Sequence, residues 1–167
     1  TVADTPAYTL DPAAHTITSH AATLQLDLGA IGKGYALDRL AALFRDWDIS
    51  SACLQSGGST ALVLAPPAGE SGWPIGIGEG VTQRILPLAH VALSGSGIAV
   101  KGEHLIDPRA RLPATRARRT WALAAGAALS DALSTAFFVM SNAEVAMFCA
   151  QFPEVGAGLI TADGELL

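Results

Sequence analysis

The chain has 167 residues, half of them apolar and 15% charged, with a formal net charge of −5. That is enough apolar material for one domain with a substantial core, and too little polarity for a disordered segment. The acidic balance gives no general attraction for nucleic acid or an anionic membrane, and no apolar run reaches the length of a membrane span.

In chain order, Tyr8 to Leu10 and His15 to Thr18 flank an Asp11-Pro12 turn and predict a small hairpin. Leu24 to Leu28 alternates as a half-buried strand would. The next stretch, Gly29-Ala30-Ile31-Gly32-Lys33-Gly34, is a glycine-punctuated turn, and a helix follows from about Lys33 to Asp46. Tyr35, Leu37, Leu40, Ala41, Leu43 and Phe44 recur at close to helical spacing along it. A helix start behind such a turn offers N–H groups and a positive dipole end, and Lys33 adds a mobile cation, so the spacing suits an anion such as phosphate. It is neither a Walker A loop, since Gly34 follows the Gly-Lys, nor a dinucleotide fingerprint, since the glycine spacing differs.

Ser51 to Gln55 and Thr60 to Leu64 read as strands around the Ser56-Gly57-Gly58-Ser59 turn. Trp73 to Ile77 and Arg84 to Leu88 form a second hairpin around Glu79-Gly80. Val91 to Ser94 is a strand that ends in Gly95-Ser96-Gly97. The short connections favour antiparallel pairing. Pro108 restricts both itself and Asp107, so His104 to Arg109 is a shaped loop. Arg109, Arg111, Arg116, Arg118 and Arg119 follow without interleaved aromatics and are expected in a solvated loop. After a strand at Thr120 to Ala124 comes a helix from Ala127 to Met140, with Leu129, Leu133, Ala136, Phe137 and Met140 as its buried stripe. Asn142 is expected to cap a third helix reaching about Phe152, with Glu144 suiting its dipole. A last strand spans Ala157 to Thr161. The fold class is α+β: a mainly antiparallel sheet with two main helices packed on it, in a single domain over 1–167. Cys53 and Cys149 sit in apolar contexts without metal-ligand spacing and read as buried thiols. The chain starts at Thr1, as a processed or truncated product would.

Two constellations could carry chemistry. Asp131 and Thr135 stand one helical turn apart and offer two hard oxygens, which suit Mg²⁺ or Ca²⁺ better than Zn²⁺. The competing reading is a surface carboxylate and a hydroxyl bonded back to its own helix. His104, beside an acid and a rigid turn, could accept a proton from a hydroxyl nucleophile. A serine hydrolase built on Ser56, Ser94 or Ser96 lacks the nucleophile-elbow spacing.

Taken together, Leu26 to Asp38, Ser56-Gly57-Gly58, Leu93-Ser94-Gly95, His104-Leu105-Ile106-Asp107-Pro108-Arg109 and Leu129 to Met140 resemble, in order and spacing, the C-terminal half of ApbE-type FAD:protein FMN transferases. The resemblance implies a T-fold-like architecture that binds FAD and Mg²⁺. It implies transfer of FMN from FAD to a threonine hydroxyl of an acceptor protein, with release of AMP. By the same resemblance, Asp131 and Thr135 are metal-binding side chains and Ala30 gives its backbone carbonyl to that metal. Asp27, Lys33 and Ile106 contact FAD, and His104 activates the threonine. Some relatives mainly hydrolyse FAD to FMN and AMP, and most are exported in bacteria. The chain departs from the family pattern at Ser56 and Ser59, where Asn and Asp are usual, near Gly97-Ile98, and at Ala110-Arg111. These departures, with the family's N-terminal half outside the 167 residues, carry the rival expectations: a non-catalytic flavin-binding or assembly module, or a site completed by self-association or by a second chain.

Overall fold

The structure is a computed structural model that describes residues 6–98 and 105–167. Its first half runs β1 (Tyr8–Asp11), β2 (Thr16–Ser19), α1 (Gly32–Asp46), β3 (Cys53–Ser56), β4 (Thr60–Val63), β5 (Trp73–Ile77), β6 (Arg84–Leu88) and β7 (Val91–Gly97). The second half runs β8 (Ile106–Asp107), β9 (Leu112–Pro113), β10 (Ala117–Ala124), α2 (Ala127–Val139), α3 (Asn142–Gln151) and β11 (Gly156–Thr161). Five strands form the central sheet in the order β11-β10-β7-β4-β3, each pair antiparallel. The other strands form three separate hairpins: β1-β2, β5-β6 and β8-β9.

The strands bury both faces, which a period-two backbone allows only if both faces are covered. On one face, Leu54, Leu62 and Ala92 meet Leu37 and Ala41 of α1 and Ala127 of α2. The same face continues from Ala122 to Leu133 and Phe137 of α2, Val145 of α3 and Val155. On the opposite face Ala61, Val63, Leu93, Trp121 and Ile160 pack beneath the β5-β6 hairpin through Trp73, Ile75, Ile77 and Leu88. The result is three layers: helices, sheet and hairpin.

The α+β class and the antiparallel pairing are as the sequence predicts, and several local details differ. Leu24 to Leu28 joins no ladder, and Leu26 and Leu28 are exposed; alternation makes a strand only where a neighbour supplies hydrogen bonds, and no described strand lies beside it. In α1 the buried positions are Gly34, Leu37 and Ala41, while Tyr35, Leu40 and Leu43 face outward. The helix sits over β3 and β4 at the sheet margin, so only one side of its apolar stripe finds a surface. In α2 Leu129 is exposed, whereas Ser130, Asp131 and Ser134 are buried. The cap of α3 is Ser141, not Asn142: its hydroxyl accepts from the Glu144 N–H at 3.2 Å, and Glu144 accepts from the Ser141 N–H at 2.6 Å. β10 begins at Ala117, so part of the arginine-rich segment belongs to the sheet.

One residue sets how closely α1 and α2 approach. A Cβ added to Gly34 would stand 2.1 Å from the Ala127 carbonyl oxygen and 2.7 Å from the Ala128 Cα, both backbone atoms that no rotamer change can move. Gly76, in β5, has nothing within 4 Å of the same position. Gly34→Ala is therefore expected to cost about 3 kcal/mol, the upper end of overpacking penalties. Gly76→Ala should stay within about 0.5 kcal/mol of the parent, as surface substitutions do. Urea unfolding of the two variants measures the contrast.

Candidate active site at the crossing of two helices

Helix starts leave N–H groups without intrahelical partners, and a Ser, Thr, Asp or Asn side chain just before the helix is the usual remedy. Neither main helix has one. The cap residues are Ile31 for α1 and Gly126 for α2, and neither makes a side-chain cap hydrogen bond. Each helix is capped instead by the other. Asp38 of α1 accepts from the Ala127 N–H at 2.8 Å and from the Ala128 N–H at 2.9 Å. Asp131 of α2 accepts from the Gly34 N–H at 3.1 Å. Placing a carboxylate at each positive helix end is favourable on electrostatic grounds as well. Ile31 and Gly32 both donate to the Leu28 carbonyl, so these two turn donors are satisfied locally. The anion-binding end expected from sequence therefore offers the dipole, Lys33 and fewer free N–H groups than the turn carries.

Asp131 is the centre of the cluster. Only 1% of it is exposed. Besides the Gly34 N–H, its carboxylate accepts from Thr60 Oγ1 at 3.3 Å and from Lys33 Nζ at 3.1 and 3.3 Å. Lys33 Nζ also donates to the Gly29 carbonyl at 3.1 Å. The ammonium thus bridges the glycine turn and α2. The Gly57-Gly58 turn closes the other side, with both glycines at positive φ and Lys33 Cδ 3.3 Å from where a Cβ on Gly57 would lie. The competing surface reading of Asp131 does not hold, whereas Thr135 does bond back to its own helix, donating to the Asp131 carbonyl at 3.5 Å.

Around it, α2 rests on the sheet through hydroxyls. Thr135 Oγ1 and Ser134 Oγ each lie 2.9 Å from Ser96 Oγ. Thr120 donates to the Ser134 carbonyl and Ser130 to the Ala122 carbonyl, both at 2.7 Å. Ser94 Oγ is buried in this layer with no hydrogen-bond partner among the described residues.

The structure brings Lys33 and Asp131 into contact, with Thr135 one turn further along α2. Asp27 accepts from the Gly29 N–H at 2.7 Å and so shapes the turn that holds Ala30. Ile106 is exposed at the start of the β8-β9 hairpin. His104 lies outside the described residues. Sequence reasoning missed Thr60 and Asp38; the available signal was two helices with no capping side chain of their own. A separate cleft of about 150 Å³ opens on the hairpin face, where Arg119 stacks 5.2 Å from the centre of the Trp121 ring. It shares Gly58 with the Gly-Gly turn and is lined in part by Thr60, whose hydroxyl bonds Asp131.

The arginine-rich segment is solvated as expected at Arg111 and Arg118, both exposed, but Arg109 and Arg116 are held by fixed contacts. Asp107 accepts from the Arg109 N–H at 2.9 Å and from its guanidinium at 3.0 Å. Arg109 goes on to Glu144 at 2.9 Å and to the Val139 carbonyl at 2.5 Å. Arg116 donates to the Phe137 carbonyl and to Asn142. Two guanidinium groups therefore close the negative end of α2. The Arg109 side chain holds the Asp107 carboxyl below its usual range, and the Ser141 N–H does the same for Glu144. Burial lowers the Arg116 guanidinium and raises the Cys149 thiol.

An antiparallel sheet layered under two helices, with a buried carboxylate and a lysine ammonium paired at their crossing beside a glycine turn, defines an α+β protein. The family model described as "ApbE family" matches residues 3–159, and the chain belongs to that family. Among curated proteins, it is 30% identical to an FAD:protein FMN transferase of Treponema pallidum, over 90% of this chain and 48% of that protein. It is likewise 30% identical to one of Rhodobacter capsulatus, over 90% of this chain and 31% of that protein. The chain thus spans about half or less of the length of the curated relatives it matches. Among solved structures, the flavin transferase ApbE from Vibrio cholerae superposes with a TM-score of 0.81 at 23% identity, covering 96% of this chain and 55% of that one. The ApbE protein from Thermotoga maritima gives 0.78 at 24% identity, covering 96% and 56%. These likenesses establish a shared fold.

The Asp107–Arg109–Glu144 cluster gives a pH prediction. Both carboxyls have folded-state values below their unfolded ones, near ~3.9 for Asp and ~4.3 for Glu. Their contribution is therefore complete above those values and is lost as pH falls through the lower, folded-state ones. Arg109→Gln should melt below the parent at pH 6, and the gap in Tm should close as pH drops below about 4. Melting curves across pH 2–7 test it.

Proposed function

We propose that this chain carries the part of an FAD:protein FMN transferase that holds the diphosphate of FAD and the Mg²⁺ beside it. The observation that carries this reading is the Lys33–Asp131 pair spanning the glycine turn and α2. Here a fixed carboxylate, a turn carbonyl and a mobile cation meet at a positive helix end. The donors fit a hard divalent cation: the Asp131 carboxylate, the Thr135 hydroxyl and a turn carbonyl, from Ala30 by the family resemblance, are all oxygens. No group of three His, Cys, Asp or Glu able to hold a metal exists among the described residues. A Mg²⁺ that completes its shell with water and substrate phosphate needs no such group. When bound there, Mg²⁺ neutralises charge on the diphosphate.

In the proposed reaction the oxygen of an acceptor threonine forms a bond to the flavin-side phosphorus of FAD. The bond from that phosphorus to the AMP oxygen breaks, and AMP leaves with the electron pair. The threonine proton passes to His104, the residue to which the resemblance gives that role. Phosphoryl-type transfer needs positioning and charge compensation more than covalent chemistry. Lys33 faces the diphosphate, Asp27 keeps the turn in shape, and Ile106 offers an apolar contact to FAD. A second reading, a flavin-binding module without transfer activity, is favoured by Ser56 and Ser59, which stand beside Gly57-Gly58 where the family usually has Asn and Asp.

Incubation with FAD, Mg²⁺ and a flavin-acceptor protein separates the readings. Transfer appears as in-gel flavin fluorescence on the acceptor. AMP without labelling indicates hydrolysis. FAD binding with neither product indicates the module. Asp131→Asn is expected to lower product formation at least 100-fold, about 2.7 kcal/mol of transition-state stabilisation. His104→Ala should keep FAD affinity within about threefold while transfer stops. An Asp131→Asn variant as active as the parent overturns the assignment.

A further inference from the structure

We propose that the Lys33 ammonium borders the seat of the divalent cation, so that Lys33 and the metal hold Asp131 in turn and never together. This rests on the metal reading above and goes beyond it by assigning Lys33 a second role, that of an exchangeable internal counter-ion.

The argument starts from the carboxylate. Two ionised oxygens offer about four acceptor directions. Gly34 N–H takes one on Oδ2, and Thr60 Oγ1 takes one on Oδ1. Lys33 Nζ lies against both oxygens, at 3.1 and 3.3 Å. The Gly34 donor is backbone inside a helix, and Thr60 is 3% exposed within a strand, so neither can step aside. The Lys33 side chain is 33% exposed and hangs on four flexible carbons. Of the three partners, only Lys33 can yield.

The place it occupies borders the one a metal would take. Lys33 Nζ bonds the Asp131 carboxylate and the Gly29 carbonyl at once, one residue before the Ala30 carbonyl expected for the cation. A divalent ion bound at about 2.1 Å from a carboxylate oxygen would stand within a few ångströms of the ammonium, and two like charges at that range repel strongly in a buried site. Entry of the metal therefore expels the ammonium. Gly57 leaves room for the stem beside the turn, since its missing Cβ would lie 3.3 Å from Lys33 Cδ. The released ammonium remains tethered at the first turn of α1, free to meet an anion there.

Two measurements on the full chain, with Mg²⁺ alone and no FAD, test the exchange. The chain has only two lysines, Lys33 and Lys101, so amine acylation read by mass spectrometry reports Lys33 directly. Mg²⁺ is expected to raise the rate of Lys33 acylation at least threefold relative to Lys101. By calorimetry, Lys33→Met should bind Mg²⁺ at least tenfold more tightly than the parent. If the parent binds Mg²⁺ while Lys33 acylation is unchanged and Lys33→Met binds no more tightly, the exchange is overturned and the metal site stands. If neither protein binds Mg²⁺, the metal site falls and takes the exchange with it. The acylation measurement needs only the parent protein, so it decides the question even if Lys33→Met does not fold.

Discussion

The site depends on two helices that cap each other. Asp38 closes the start of α2 and Asp131 closes the start of α1, and the exchange is possible only because Gly34 lets the backbones touch. Each carboxylate is held by a helix other than its own, so neither helix start is complete until the pair has docked. The cluster at Asp131 is then a product of tertiary structure, not of either helix alone. Its location beside the glycine turn follows, because Gly34 belongs both to α1 and to that turn's sequence motif.

The layer beneath is unusual for a helix on a sheet. Where apolar packing would be the ordinary choice, Thr60, Ser94, Ser96 and Thr120 from the strands face Ser130, Asp131, Ser134 and Thr135 from α2. Buried polar groups are tolerated when they are hydrogen-bonded, and all of these except Ser94 have partners among the described residues. Such a layer contributes less through apolar burial than a hydrocarbon one would. What it supplies is a fixed direction for each hydroxyl, and hence a fixed setting for Asp131. The apolar clusters on either side, around Leu62 and around Phe137, make up the burial that this strip lacks.

Much of this could be read from the sequence, and the failures share one cause. Local signals survived: the Gly-Gly turn, the hairpin around Glu79-Gly80, the limits of α1 and α2, and the pairing of Asp131 and Thr135 on one helix face. Relations set by non-local contacts did not. Leu129 was expected inside because periodicity cannot show which side of α2 meets a polar layer, and the helical spacing of Tyr35 and Leu43 could not show that both face outward, because an apolar stripe does not reveal how wide its partner surface is. The five arginines suggested solvation, yet Arg109 and Arg116 bind the last carbonyls of α2, targets that become visible only once β8, β9 and α3 are in place. Ser141 outcompeted Asn142 as the α3 cap through the reciprocal Glu144 bond, a spacing that was present in the sequence.

The two-ended clamp on α2 also fixes its length. Asp38 grips Ala127 and Ala128 at one end, and Arg109 and Arg116 grip Val139 and Phe137 at the other, across a helix of 13 residues. One residue added or removed between these grips would rotate everything beyond it by about 100°. Asp131 would then miss Lys33, or the arginines would miss their carbonyls. Outward-facing side chains such as Leu129 can change freely, but the number of residues in this helix cannot drift, which makes α2 a ruler as well as a scaffold.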